Sequence, residues 1–453
     1  PHQAQGVCAS TGPAMSISVA VSLLSGKFAV LEAKLDSAIK DLLGRAQKEL
    51  GVGPSKLVSP TGDVFDPAHS LCEAGLRDGD TVTFVVRRFQ LVSTESAFAL
   101  LRDDGSVVIW GNPRYGGDSR SVQDKLKDVQ QIKASRCAFA AILADRSVVT
   151  WGSGGWRGEG IRVPEHVKNV QQVEASHKAF AAILQDGSVV TWGPADCGGD
   201  SHHVRAELKD VRKIHASNSA FAAILGDGSV VTWGNPQCGG DSAAVQDKLR
   251  NVQQVQASNK AFAAILEDGS VVTWGEPKYG GDSSGVRAQL TGVQRIQASG
   301  CAFAAIREDG CVVTWGRAEC GGDSRSVQNQ LRDVREIQAC YNAFAAILGD
   351  GTVVTWGQPC SGGDSSAVQA LLTDVKQVRA AGEGAFAALK MDGSVVTWGH
   401  ADCGGDSRAV QEQLQNVQQI QACNEAFAAL LGDGTVVTWG NPYGGGNSSR
   451  VIW

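Results

Sequence analysis

The dipeptide Trp-Gly returns nine times, at Trp110, Trp151, Trp192, Trp233, Trp274, Trp315, Trp356, Trp398 and Trp439. Every step is 41 residues, except one of 42 between Trp356 and Trp398. A phenylalanine keeps the same register, from Phe98 and Phe139 through Phe386 and Phe427. Nine of the 11 Trp and nine of the 13 Phe in this 453-residue chain therefore occupy two repeat positions. A fixed period of this size means one supersecondary unit copied along the chain, which must stack on its neighbours to bury a core. That overrides the expectation, from length alone, of about three domains.

The unit around Phe262 shows what is copied. Val252 to Ala257 alternates apolar and polar residues, which predicts a half-buried strand. Ala261 to Leu266 is apolar throughout and of strand length, as suits a strand covered on both faces. Asp268-Gly269 predicts a two-residue hairpin turn, and Val271 to Trp274 the returning strand. Eight of the nine units carry Asp-Gly here, while the second has Asp145-Arg146. Arginine fits a positive φ poorly, so a different turn is expected in that unit. A glycine-rich loop follows each Trp-Gly, and a segment such as Ser283 to Leu290 then predicts a short helix or tight turn.

A lone three-stranded meander is marginal in water. Arranging the meanders radially as a β-propeller leaves only short edges, with the Trp and Phe packed between blades. The expected fold class is mostly β, a β-propeller of nine three-stranded units over residues 89–453, closed into a ring or left as an open array. The terminal Val451-Ile452-Trp453 reads as a closing latch or as a truncated tenth unit.

The string AFAAILGDGSVVTWG at Ala220 to Gly234 resembles the repeat of the regulator-of-chromosome-condensation superfamily. In its short period it is most similar to that superfamily's β-lactamase inhibitory propeller branch. The resemblance covers residues from about 89 to 440. It implies seven blades, against the nine units counted here. Relatives act in nucleotide exchange through an insertion in the propeller, and a repeat constant at 41 residues leaves no room for one. Ubiquitin ligases with these repeats carry a catalytic domain after them, and 14 residues follow Trp439 here. Neither enzymatic role is expected. Where the family has Tyr-Gly-Gln-Leu-Gly, this chain has Cys/Tyr-Gly-Gly-Asp-Ser, so the family's partner-binding loops do not carry over.

Residues before 89 lack the repeat. Residues 1–14 read as a disordered leader or as an upstream reading-frame artefact. Over 15–88 the order is strand (Ile17 to Val21), turn, strand (Phe28 to Ala33), helix (Leu35 to Leu50, opened by Asp36 or Ser37) and two short strands around Leu57-Val58 and Thr81 to Val86. With ISVAVSLLSGK at one end and RDGDTVTFVVRR at the other, this α+β segment resembles ubiquitin-like domains of the β-grasp fold. The resemblance places Leu24, Val58 and Val85 where ubiquitin presents its apolar recognition patch. It implies docking to a ubiquitin-pathway component. Lys+Arg and Asp+Glu balance at nine each in this segment, so the net charge of −6 belongs to the repeats.

That charge gives no basis for gripping a nucleic-acid backbone. No apolar run is long enough to span a membrane. None of the 12 cysteines forms Cys-x-x-Cys, and no Cys/His spacing suits zinc, so no metal or cofactor is expected. Cys197, Cys238, Cys320, Cys360 and Cys403 share nearly one loop position, read as a small apolar slot. Asp118, Asp200, Asp241, Asp282, Asp323, Asp364 and Asp406 recur in Gly-Gly-Asp-Ser, either as a ring for cations or a basic partner or, more simply, as turn caps. His202-His203 reads as ordinary surface. Variation between units in the connectors, and above all the irregular Ser153 to Pro164 with Trp156, points to partner-binding loops on a rigid scaffold. The expected protein is a monomeric, non-enzymatic protein-interaction scaffold of the cytoplasm or nucleus. A recruiting component of a ubiquitin ligase and a propeller-type enzyme inhibitor are the alternatives.

Overall fold

A computed structural model describes residues 16–23, 28–50, 55–59, 65–86, 90–102, 104–153, 162–164, 167–432 and 434–447. Two compact units are present, one of residues 1–88 with 432–435 and the other of 89–431 with 436–453.

The first unit is a four-stranded sheet with one helix. Its strands are β1 (Ser16–Leu23), β2 (Phe28–Lys34), β3 (Ser55–Val58) and β4 (Thr81–Val86), and its helix is α1 (Ile39–Leu50). The sheet order is β2-β1-β4-β3, with β1 and β4 parallel and the outer pairs antiparallel. Strict alternation along β2 buries Ala29, Leu31 and Ala33. These close with Val19, Val21 and Leu57 over Ile39, Leu42 and Ala46 of the helix. The helix starts later than the sequence predicts. Ser37 O accepts from Leu71 N–H at 3.0 Å and the Ile39 N–H donates to His69 O at 2.8 Å, so residues 69–71 hold the backbone that a longer helix would need.

Among the described residues, the second unit holds nine three-stranded sheets. The first is Gln90–Ser93, Ala97–Leu101 and Val107–Gly111, and the last is Val417–Ala422, Ala426–Leu431 and Val436–Gly440. The first strand of each sheet lies against the first strands of both neighbours, and the last sheet returns to Gln90–Ser93. These strands are the inner wall of a closed nine-bladed β-propeller. Closure uses ordinary blade contacts: Leu91, Phe98 and Leu100 share a core with Cys423, Ala426 and Ala428. Trp110 Nε1 donates to Gly445 O at 3.2 Å, and Ser93 Oγ to Ala422 O at 2.6 Å. Val451-Ile452-Trp453 lies outside the described residues.

Each blade seam repeats one packing scheme. Phe262 is wholly buried and stacks on Trp274 with ring centroids 5.2 Å apart, and the other eight pairs stand at 5.1–5.5 Å. The Phe262 ring rests on Gly239 of the preceding blade, where a Cβ would come within 2.5 Å of it. Trp274 Nε1 donates to the carbonyl of that same glycine at 3.0 Å. Trp192 Nε1 is buried without a partner among the described residues, and the loop that would supply its acceptor follows Trp151.

The inner strands depart from simple alternation. Val252 and Val255, three apart, are both buried because a bulge shifts the register between Val252 and Gln254. The Asp-Gly hairpin is also wider than expected. Gly269 N–H donates to Leu266 O, and Leu266 N–H to Ser270 O, at 3.0 and 2.9 Å. Of the pair only Gly269 has a positive φ, 75°, while Asp268 accepts from Ser270 N–H at 2.9 Å. The second unit keeps this turn, contrary to the sequence expectation. Arg146 takes the glycine's place at φ 65°, and its carbonyl accepts from Val170 N–H as Gly187 O does from Val211 N–H. Two blades thus hold the arginine in a conformation that costs an L-residue about 1–2 kcal/mol. Arg146→Gly should raise stability by about 1 kcal/mol, read as a shift in denaturation midpoint. No gain would mean that the turn is unstrained.

Candidate functional site

The inner strands all end at one mouth of the ring, where they enclose a cavity of about 790 Å³ lined by all nine blades. Three residues follow each strand before the invariant Ala-Phe-Ala, and the last two are a variable pair. At its first position stand Glu95, Arg136, His177, Asn218, Asn259, Gly300, Tyr341, Glu383 and Asn424. At its second stand Ser96, Cys137, Lys178, Ser219, Lys260, Cys301, Asn342, Gly384 and Glu425. In a chain whose strands are copied almost unchanged, this pair changes from blade to blade.

The backbone beneath these side chains is rigid. Glu95 N–H donates to Arg136 O, Arg136 N–H to His177 O, and so around the ring until Asn424 N–H donates to Glu95 O at 3.1 Å. Turn amides that would otherwise be orphaned are thus paired around the whole mouth. Blade eight carries the one extra residue of the array, which accounts for the 42-residue step. Its Gly382 and Glu383 N–H groups donate to Cys423 O and Asn424 O at 3.1 and 2.9 Å.

Charge at the mouth is divided into sectors. Arg136 grips the Glu95 carboxylate with Nε and Nη2, and its Nη1 lies 2.9 Å from His177 Nε2. Burial first, then the positive charges of Arg136 and Lys178, hold the His177 imidazole at about 4, so it is neutral near pH 7. On the adjoining sector, burial and the charges of Glu383 and Glu95 push the Glu425 carboxyl up, while the Asn441 amide donates to it at 2.8 Å. Tyr341 lies over Gly300, where a Cβ would meet its ring at 2.9 Å, and is 44% exposed. The result is a stiff ring carrying an acidic arc on blades eight, nine and one, a basic arc on blades two and three, and an aromatic between.

The seven aspartates of Gly-Gly-Asp-Ser all cap their own turn. Asp241 Oδ1 accepts from Ala243 N–H and Asp282 Oδ1 from Ser284 N–H, both at 2.9 Å. Asp200 and Asp364 repeat the contact with His202 and Ser366. Asp118, Asp323 and Asp406 also take a forked contact from Arg120, Arg325 and Arg408, which holds their carboxyls at about 2. Of the five grouped cysteines, Cys197, Cys238, Cys320 and Cys403 fill one buried slot. Cys360 is one residue out of register and exposed, and Ser361 takes the slot instead.

In the first unit, Val58 is half-buried in β3 opposite Thr83, and Val85 lies in β4 opposite Lys56. Leu24 and Trp156 lie outside the described residues. The sequence reading passed over Phe28 and Val30, which are 67% and 59% exposed on the outer face of β2. Val58 shares that face by alternation, since Leu57 is the buried member of β3. The signal for Phe28 and Val30 was present as an apolar residue at every position from Phe28 to Leu31, one face too many for a half-buried strand. The mouth was missed for a different reason: its signal is a column of dissimilar residues between constant ones.

No protein-family model and no curated protein matches this chain. Among solved structures, it is similar to the ectodomain of the Physcomitrella patens receptor kinase CR4, at 13% identity, covering 60% of this chain and 74% of that one, with a TM-score of 0.36. Prp20p from Saccharomyces cerevisiae matches at 15% identity over 59% of this chain and 71% of its own, also with a TM-score of 0.36. The UBL domain of Plasmodium falciparum Dsk2 matches at 22% identity over 16% of this chain and 99% of its own, with a TM-score of 0.15. The fold described above rests on the sheets and seams of this chain itself.

Proposed function

We propose that this chain is a non-enzymatic protein-interaction scaffold whose propeller mouth binds a protein partner. The observation that carries this reading is where the copies differ. Nine near-identical blades supply a rigid frame, and a two-residue column that differs from blade to blade is brought to one face. Polar, charged and aromatic groups on a stiff ring suit recognition of a folded or extended protein segment. Asp118, Asp200, Asp241, Asp282, Asp323, Asp364, Asp406 and Trp156 belong to the same proposal as further partner contacts. We infer further that the first unit docks to a ubiquitin-pathway component through the apolar face that holds Phe28, Val30 and Val58, and Leu24 and Val85 belong to the same proposal.

Affinity capture with three full-length chains tests both halves. Tyr341→Ser with Glu383→Gln alters two exposed groups at the mouth, and Phe28→Ser with Val30→Ser alters the sheet face. The first pair should lose the propeller's partner and keep proteasomal or ligase subunits, while the second should do the reverse. Capture of the same proteins by all three chains would overturn both assignments.

A further inference from the structure

The mouth cavity is lined by four side chains of acidic or basic type, Glu95, Arg136, His177 and Glu383. Three of them engage one another. Arg136 grips Glu95 with Nε and Nη2, and its Nη1 meets His177 Nε2 at 2.9 Å. With His177 neutral near pH 7, that group sums to no net charge. Glu383 stands apart on blade eight. It is exposed and makes no ion pair among the described residues. Lys178 and Lys260, at the second position of the variable pair, stand outside the lining of this cavity, and Lys260 lies over the Tyr279 ring at 5.1 Å.

The cavity wall next to Glu383 is aromatic. Tyr341 of blade seven lines the same cavity, and its N–H donates at 2.8 Å to the carbonyl of Gly382, the residue before Glu383. Its ring leans on Gly300 of blade six and stays 44% exposed. The backbone groups at the first position of the pair are already spent on the ring of hydrogen bonds between blades, so recognition here falls to side chains. A carboxylate without a counter-ion attracts a cation, and an aromatic wall beside it covers the apolar stem of a long cationic side chain. Glu383 would repel an anion, and an apolar group would leave its charge unbalanced. We propose that the mouth takes its partner through one arginine or lysine side chain, whose stem crosses Tyr341 and whose charged head reaches Glu383. This rests on the reading of the mouth as a protein-binding surface and adds the chemistry of the group it accepts.

The test titrates the full chain, tyrosine-labelled, with N-acetyl-arginine amide, its lysine counterpart and its uncharged citrulline counterpart, at an ionic strength matched with sodium chloride. The Tyr341 ring resonance, assigned by its loss in Tyr341→Ser, should shift saturably with at least one of the two cations and not with the citrulline compound. Glu383→Gln should weaken that response about tenfold, the loss expected for one charge-assisted contact. The side chain is exposed, so this variant keeps the fold. The larger of the two cation responses names the residue. An equal response to the citrulline compound, no saturable response to either cation, or an equal response in Glu383→Gln would overturn the proposal. Affinity capture separates the two readings. A partner lost from the mouth variant without any cation response would leave the protein-binding reading standing and remove this one, and a Glu383-dependent response with no partner lost would do the reverse.

Discussion

Phe98→Ala should destabilise the protein as much as Phe262→Ala does, by about 3–5 kcal/mol in each case. Phe262 is in mid-array, with a blade on either side in any arrangement of the units. Phe98 is in the first blade, and its cost depends on whether the ring closes. In the closed propeller it is wholly buried, stacked on Trp110 at 5.3 Å and set against Gly445, where a Cβ would fall 2.7 Å from its ring. Removing it leaves a cavity between the first blade and the last, bordered by a glycine loop already held by Trp110 Nε1. In an open array the same face of the first blade would meet water, and the truncation would cost far less. Guanidinium unfolding followed by tryptophan fluorescence separates the cases, since the stacked Trp of every blade reports on its seam. If Phe98→Ala costs less than about 1 kcal/mol while Phe262→Ala keeps its full effect, the ring is open in solution.

Equal costs at the two sites also bear on folding. An array whose terminal units are exposed can fray from its ends, and stability then becomes a sum of local terms. A ring has no ends, because the seam between Leu91 and Ala426 is built from the same residue types as the other eight. Opening it costs a whole interface before any blade can unfold.

Strands, their order within a blade and the role of Trp and Phe were legible in the sequence because each depends on residues within one 41-residue period. What was not legible depends on several copies at once. Ring closure follows from the summed rotation of nine seams, which no single unit encodes. The turn at Asp145-Arg146 follows from Val170 N–H and the neighbouring blade rather than from arginine's own preference. The bulge at Val252 explains why a pattern with valines three apart still gives a strand with one buried face. The mouth arises because the same register position is presented nine times around an axis. Its residues look like loop noise in any one unit and like a designed surface only when assembled. In the first unit, the same limit hid the late start of α1, which is fixed by backbone contacts to residues 69–71.

Acid should weaken the fold between pH 6.5 and 4, ahead of the general protonation of carboxylates. Burial, with Lys213 and Lys133 as its charged neighbours, holds the His215 imidazole at about 4, against 6.5 for a free histidine. A histidine whose folded pKa lies below its unfolded value binds fewer protons in the native state, so its contribution is whole above pH 6.5. It is then lost as pH falls toward 4. For His215 the full span amounts to about 3 kcal/mol, and Glu174, already engaged by Lys133, offers little relief. His177 acts in the same direction, reduced by its partial exposure. Glu425 opposes both, since a carboxyl with a raised pKa gains stability on protonation. The aspartates held at about 2 titrate below this window. His215→Gln, which introduces the residue of four other blades, should flatten the loss by roughly half when unfolding free energies at pH 7 and pH 4.5 are compared. An unchanged pH dependence in that variant would mean that His215 is protonated in the native ring.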